Sequence, residues 1–189
     1  MMNWLVRSAM AVALIGITAP SLAQSTGYEG AKFVDAVREG KDNDAFALLE
    51  ANPNIVNARN SKGETALLAA VERRSNWTAH LLRSEADPNL ADRSGETPLI
   101  AAARIGYGDA VQWLLIAGAK VDAANRMGET ALIIAVQQRQ TRIIRQLLEA
   151  GANPDKTDSA AGLSARDYAQ RDTRSRDILK LIEDAKPKS

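Results

Sequence analysis

Three glutamates stand at a fixed interval in this chain: Glu64, Glu96 and Glu129 lie 32 and 33 residues apart. Paired carboxylates can cleave a glycosidic bond when they are about 5–5.5 Å apart (retaining) or about 6.5–9.5 Å apart (inverting). Glu96 with Glu129 is therefore the pairing that offers catalysis, on a glycan or another small substrate. Every other catalytic inventory is thin. His80 is the single histidine, so a nucleophile–base pair would have to be built around it. With no Cys there is no thiol nucleophile, thiolate metal site or disulfide. No His-Glu-x-x-His, Asp-rich loop or phosphate-cradling glycine loop is present. Neither a metal nor a cofactor is expected. Arginines keep the same interval: Arg93 and Arg126 are 33 residues apart, and their forked guanidinium groups suit carboxylates. Trp77 precedes His80 by three residues, and Trp113 follows His80 by 33.

The interval belongs to the backbone before it belongs to any chemistry. Gly63-Glu64-Thr65-Ala66-Leu67 returns as Gly95-Glu96-Thr97-Pro98-Leu99, as Gly128-Glu129-Thr130-Ala131-Leu132, and in weakened form as Gly162-Leu163-Ser164-Ala165-Arg166. A second phrase keeps step with it: Leu81-Leu82, Leu114-Leu115, Leu147-Leu148 and Leu181-Ile182. Fixed-period similarity means one supersecondary unit stacked on itself. Residues 94–126 show the unit most plainly. Gly95 suits a turn of positive φ, Thr97 can cap a helix with its hydroxyl, and Pro98 occupies the first helical position, where proline is tolerated. Leu99, Ala102 and Ala103 then share one helical face, and Gly106 ends the helix. Asp109 is placed to cap a second helix with Val111, Leu114 and Leu115 on its buried side, which Gly118-Ala119 stops. The unit is turn, helix, turn, helix.

These residues resemble the ankyrin repeat, with its Gly-x-Thr-Pro-Leu turn, Ala-Ala inner helix, Leu-Leu outer helix and Gly-Ala stop. The match runs over about residues 28–189. One departure is consistent. Leu68, Ile100 and Ile133 stand where the family usually has His, so the inter-repeat hydrogen bonds of that His are replaced by apolar burial. The fold expected is an all-α solenoid of about five helix-turn-helix units, three regular repeats between two caps. Residues 24–60 form a linker and degenerate cap that keeps Phe33, Ala36, Gly40 and Leu48-Leu49. Regular repeats occupy 61–93, 94–126 and 127–159, and a charged cap occupies 160–189. A terminal unit has one neighbour, so its outer face must be polar.

The resemblance implies protein binding on the concave face, through finger tips and the exposed side of the inner helices. Carried over by position, the fingers contribute Ser61, Lys62 and Glu64; Arg93, Ser94 and Glu96; and Arg126, Met127 and Glu129. The inner helices contribute Glu72 and Arg73, Arg104 and Ile105, and Gln137 and Gln138. Arg93 and Arg126, with Arg104 nearby, could pair with acidic side chains of a partner. The glutamates have a plainer reading, as solvated residues favoured by the dipole of a helix N-terminus. Trp77, His80 and Trp113 fall on the outer helices and would form a second, convex patch, unless Trp77 packs within its own shortened repeat. Adjacent repeats of the family stack at about 10 Å, too far for the glycosidase pairing of Glu96 and Glu129.

The first 23 residues read differently. Arg7, the apolar run Ser8 to Ile17 and the small residues Ser21-Leu22-Ala23 have the layout of a secretory signal peptide. Pro20 closes the apolar run short of the roughly 20 residues of a membrane span. Removing this segment takes one Arg from a chain with 24 basic and 23 acidic residues, so the two signs balance. Such a balance argues against a nucleic-acid or anionic-membrane footprint. The expectation is an exported, periplasmic monomer that binds a protein.

Overall fold

The computed structural model describes residues 22–172, 174 and 176–185. Of the expected export segment 1–23, all but Leu22 and Ala23 lies outside the described residues. Among the described residues ten α-helices follow one another: α1 (Leu22–Glu39), α2 (Asp42–Ala51), α3 (Ala66–Glu72), α4 (Trp77–Arg83), α5 (Pro98–Arg104), α6 (Gly108–Ile116), α7 (Ala131–Gln137), α8 (Thr141–Glu149), α9 (Ala165–Arg171) and α10 (Arg176–Asp184). They pair into five units. The odd-numbered helices stack in one row, α1 on α3 through to α7 on α9, and α4, α6, α8 and α10 stack in a second row. This is the all-α solenoid expected from the period.

Each regular unit starts in the same way. Thr65, Thr97 and Thr130 accept a hydrogen bond on Oγ1 from the backbone N–H three residues on, each at 3.3 Å, and Ser164 does the same inside a full capping box with Asp167. The inner helices of the three regular units are only seven residues long and are hydrophobic almost all round. Ala66–Val71, Pro98–Ala103 and Ala131–Val136 are buried without a break. Such helices are too short to persist alone in water, so burial between two neighbours must hold them. Leu68, Ile100 and Ile133, the positions given up by His, are at most 1% exposed.

Two local readings need correction. Asp109 does not cap α6: the N-cap is Tyr107, without a side-chain bond, and Asp109 lies in the first turn, where it pairs with Arg142 at 2.7 Å. In the last unit the buried outer-helix positions are Ile178 and Ile182, while Leu181 is half-buried. Ile182, not Leu181, thus takes the place of Leu81, Leu114 and Leu147, a slip of one residue beyond the 34-residue spacing there.

The fingers are tight reverse turns. In each, a backbone N–H bonds the carbonyl four or five residues on: Asn60 to Glu64, Asp92 to Glu96, Asn125 to Glu129 and Asp158 to Leu163, at 3.0–3.1 Å. The side-chain oxygen of the same Asn or Asp accepts two more backbone N–H bonds from inside the turn. The last two fingers each lie on the one before. Arg126 N–H donates to the Ser94 carbonyl at 3.0 Å and Ser159 N–H to the Met127 carbonyl at 2.8 Å. Gly128 makes that approach possible: it has φ 75°, and a Cβ there would lie 2.6 Å from the Ser159 nitrogen. Gly162 has a similar φ of 66° but open space around it. Gly128→Ala should therefore cost about 2–4 kcal/mol, the left-handed penalty plus a backbone clash, and Gly162→Ala only about 1. Urea denaturation of the two variants separates these contributions, and equal losses would contradict the packing account.

Candidate protein-binding surface

The finger tips carry the exposed residues that the repeat register predicts. Ser61, Lys62, Arg93, Ser94, Arg126 and Met127 are all exposed, Met127 to 53%. The ridge is pre-set by the turns beneath it. Arg59 binds the carbonyls of Gly63 and Ala91, each at 2.5 Å, and so ties two fingers together from below. The aliphatic part of Arg93 lies over Gly63, with its Cγ 2.8 Å from where a Cβ would stand. Lys62, Arg93 and Arg126 make no ion pair among the described residues. Arg126 does act through space on Asp92. Burial pushes the Asp92 carboxyl up, but hydrogen bonds from Ser94 and the Glu96 N–H, together with Arg126, hold it below the usual carboxylate range.

The glutamates behave differently from a row of solvated side chains. Glu64 is 4% exposed; it accepts from Asn60 at 3.2 Å and from Arg38 Nε at 2.5 Å, and the second Arg38 terminal nitrogen bonds Glu72 at 2.8 Å. Glu96 and Glu129 keep only 12% and 16% side-chain exposure, and one guanidinium, Arg104, holds both. Its Nε and terminal nitrogen bond Glu96 at 2.9 and 3.2 Å, and the same terminal nitrogen bonds Glu129 at 3.3 Å. Asn125 adds a bond to Glu129 at 2.7 Å. The two carboxylates thus come far closer than the 10 Å stacking distance suggests, because both side chains lean toward the arginine. Arg104 fills the space between them, where a scissile bond would have to lie. Arg104 is consequently not a free cation for a partner, and the carboxylate pair is a structural clamp.

Among the other inner-helix positions, Glu72, Arg73, Gln137 and Gln138 are exposed and Ile105 is half-buried. Arg73 is tied to the Val37 carbonyl at 2.6 Å, and Arg74 to the Ile105 carbonyl. The convex patch does not exist as a pair of exposed tryptophans. Trp77 is 4% exposed, donates its indole N–H to Asp42 at 2.9 Å, and packs against Phe33 and Phe46 at 6.0 and 4.4 Å. As the first residue of α4 it points back into the N-terminal cap. His80 is half-buried between Trp77 and Phe46, at 5.0 and 5.1 Å, and Trp113 is half-buried against Tyr107 at 6.0 Å. The apolar residues open to solvent on the outer side are Phe46 and Ile116, which no repeat pattern marks.

Two polar columns escaped the sequence reading although they keep the period. Asn60, Asp92, Asn125 and Asp158 close the fingers, as described above. Asn57, Asn89 and Asp122 each accept the backbone N–H of a residue about 30 positions later, Asp87, Lys120 and Asn153, at 2.7–2.9 Å. They add side-chain hydrogen bonds between neighbouring units. Extending the alignment upstream of the glycine would have found both columns.

A family model described as "Ankyrin repeats (3 copies)" matches residues 33–125 and 77–158, together more than half of the chain. The chain belongs to the ankyrin-repeat family. A probable E3 ubiquitin-protein ligase, XBOS32, of Oryza sativa subsp. japonica is 33% identical over 94 residues, covering 49% of this chain. The chain spans only 19% of that relative's length. Ankyrin repeats indicate a protein–protein interaction module, and the family is typically non-enzymatic. Among the described residues, no cluster of His, Cys, Asp and Glu is arranged to hold a metal ion, and no helix is long and apolar enough to cross a membrane.

The clamps of this ankyrin-repeat chain make two stability predictions. Arg38→Met leaves Glu64 buried without its cation. Removing one partner of a buried pair costs about 3–5 kcal/mol, and the part-exposed Arg38 reduces this to roughly 2. Glu72→Gln, on an exposed carboxylate, should stay within about 0.5 kcal/mol. Chemical denaturation of the two variants checks the contrast. Asp158 sets an acid limit. The Tyr168 hydroxyl donates to it at 2.6 Å, and this bond, opposed by burial and aided by the N–H groups of Ala161 and Gly162, holds the carboxyl below its usual range. A depressed folded value stabilises above the unfolded pKa, about 3.9, and the gain is lost as pH falls through the folded value. Asp158→Asn, which keeps a side-chain oxygen for the turn as Asn60 and Asn125 do, should flatten stability between about pH 5 and 2. Thermal midpoints across that range test it.

Proposed function

We propose that this chain is an exported, monomeric binding module whose finger ridge and concave face dock a second protein, itself exported, as a protector, scaffold or inhibitor. The observation that carries the reading is the ridge: Lys62, Arg93 and Arg126 project from successive fingers without an ion pair among the described residues, beside the exposed thioether of Met127. The glutamates beneath them are occupied by Arg38 and Arg104, so the cations that face outward are open to carboxylates of a partner. Fingers fixed by backbone hydrogen bonds lose little freedom on binding, so few contacts suffice for useful affinity. The N-terminal layout of Arg7, an apolar run and Ser21-Leu22-Ala23 supports export to a periplasm, with the mature chain beginning at Gln24.

The experiment is a pull-down from the host's periplasmic extract. The tagged full chain and its Arg93→Glu/Arg126→Glu variant serve as baits, with mass spectrometry of what each retains and of the bait's own N-terminus. The native bait should hold a protein that the variant loses by about tenfold or more, with helical circular dichroism unchanged. Equal retention by both baits would move the contact off the ridge. A bait still carrying residues 1–23 would remove the export part of the reading.

A further inference from the structure

The concave face carries a charge ladder that stops one rung short. The last turn of each inner helix presents one residue in register: Arg38, Glu72, Arg104, Gln137 and Arg171. The turn before each inner helix presents a second column: Glu64, Glu96, Glu129 and then Leu163. The arginines of the first column hold carboxylates wherever the two columns supply them. Arg38 takes Glu64 and Glu72 of the next unit. Arg104 takes Glu96 of its own unit and Glu129 of the next. Arg171 is the third arginine of the column, and the members of the two columns nearest to it are neutral. Leu163 replaces the glutamate of its own unit, and Gln137 is the column member of the unit before it.

Nothing else nearby takes over that role. Arg171 is exposed and makes no hydrogen bond or ion pair among the described residues. Asp167, one turn before it in α9, is occupied by the capping box with Ser164 and feels Arg171 only through space. Asp172 is taken by Arg139, whose two nitrogens reach it at 2.6 Å each, and by Arg174 at 3.5 Å. Asp158 is held by the Tyr168 hydroxyl and the turn N–H groups. Arg171 with Gln137, Arg139, Tyr168 and Arg174 lines an open cleft of about 390 Å³ at the C-terminal end of the inner helices. Three guanidinium groups share it with one carboxylate, so its field is positive.

We propose that this cleft receives the side-chain carboxylate of a glutamate or aspartate on the protein partner, anchored by Arg171 with the Gln137 amide beside it. The partner completes the ladder that the chain's own glutamates complete at Arg38 and Arg104. The proposal rests on the binding reading above and adds the chemistry of one contact: a guanidinium fork on a carboxylate, a geometry that lysine does not reproduce.

The test uses the full chain and three blocked tripeptides, one with a central glutamate, its glutamine counterpart, and one whose sole anion is a C-terminal carboxylate. Arginine Nε–Hε and side-chain amide resonances are followed by NMR. The glutamate peptide should shift Arg171 and Gln137 while leaving Arg104, already occupied, in place. Arg171→Gln should weaken that titration by about tenfold, the loss of charged hydrogen bonds. Gln137→Glu supplies the missing rung from within, so it should raise the thermal midpoint and abolish the titration. Equal response to the glutamine peptide, equal shifts at every exposed arginine, or preference for the C-terminal carboxylate would each overturn the proposal. So would a partner whose capture survives Arg171→Gln but is lost in the Arg93/Arg126 variant, an outcome that leaves the binding reading standing. Capture of no partner at all would count against that reading, and the peptide titration would still decide this one.

Discussion

A finger can rest on the finger before it only where the earlier one offers a bare Cα. That contact, Ser159 against Gly128 and Arg126 against Gly95, fixes the distance and twist between units, and the other features of the molecule follow from it. The seven-residue inner helices have no stability of their own, so their alanine and isoleucine faces persist only if neighbours arrive at the right separation. The Asn or Asp at the start of each finger serves the same end. By satisfying two backbone N–H groups inside the turn, it holds the glycine in the left-handed conformation that the next finger needs.

The same spacing brings charges together that are far apart in sequence. Arg104 reaches Glu129, 25 residues away, and Arg38 reaches Glu72, 34 away, because each repeat returns the chain to an equivalent point on the next layer. Buried or half-buried ion pairs contribute little net stability when they replace apolar contacts, but breaking one is costly. Their effect is therefore on geometry. A unit shifted by one residue would strand Glu64 in the core without Arg38, so the clamps penalise the wrong register in a stack whose apolar faces are nearly interchangeable. Asn57, Asn89 and Asp122 add hydrogen bonds between layers from outside the core, while the inner positions Leu68, Ile100 and Ile133 are fully apolar and buried.

What could be read from the sequence was whatever depends on one unit alone. The glycine interval, the Thr caps, Pro98 at a first helical position and the burial of Leu68, Ile100 and Ile133 are local or strictly periodic, and the structure has them where the period puts them. Contacts between units were harder. Glu64, Glu96 and Glu129 look like any acid beside a helix N-terminus, and only the stacked arrangement shows that Arg38 and Arg104 lean over them. Trp77 lies in a helix with no useful periodic neighbour, and its burial depends on Asp42 and Phe46 of the preceding cap, whose sequence barely resembles a repeat. Asp109 looked like a cap by residue type, yet the backbone turns into α6 two residues earlier, at Tyr107.

The division of the charges is what favours recognition over catalysis on this surface. A catalytic carboxylate must be free to exchange a proton with a substrate and must sit where water can be excluded. Glu96 and Glu129 fail the first condition, since one guanidinium occupies both. Their role as counter-ions has a consequence at the surface above. Because Glu64, Glu96 and Glu129 are committed inward, the basic residues of the fingers stay out of ion pairs among the described residues, and a chain of nearly balanced composition presents exposed cations along this ridge. A rigid ridge of that kind selects by the spacing of its charges, since a partner's carboxylates must match positions already fixed by the repeat.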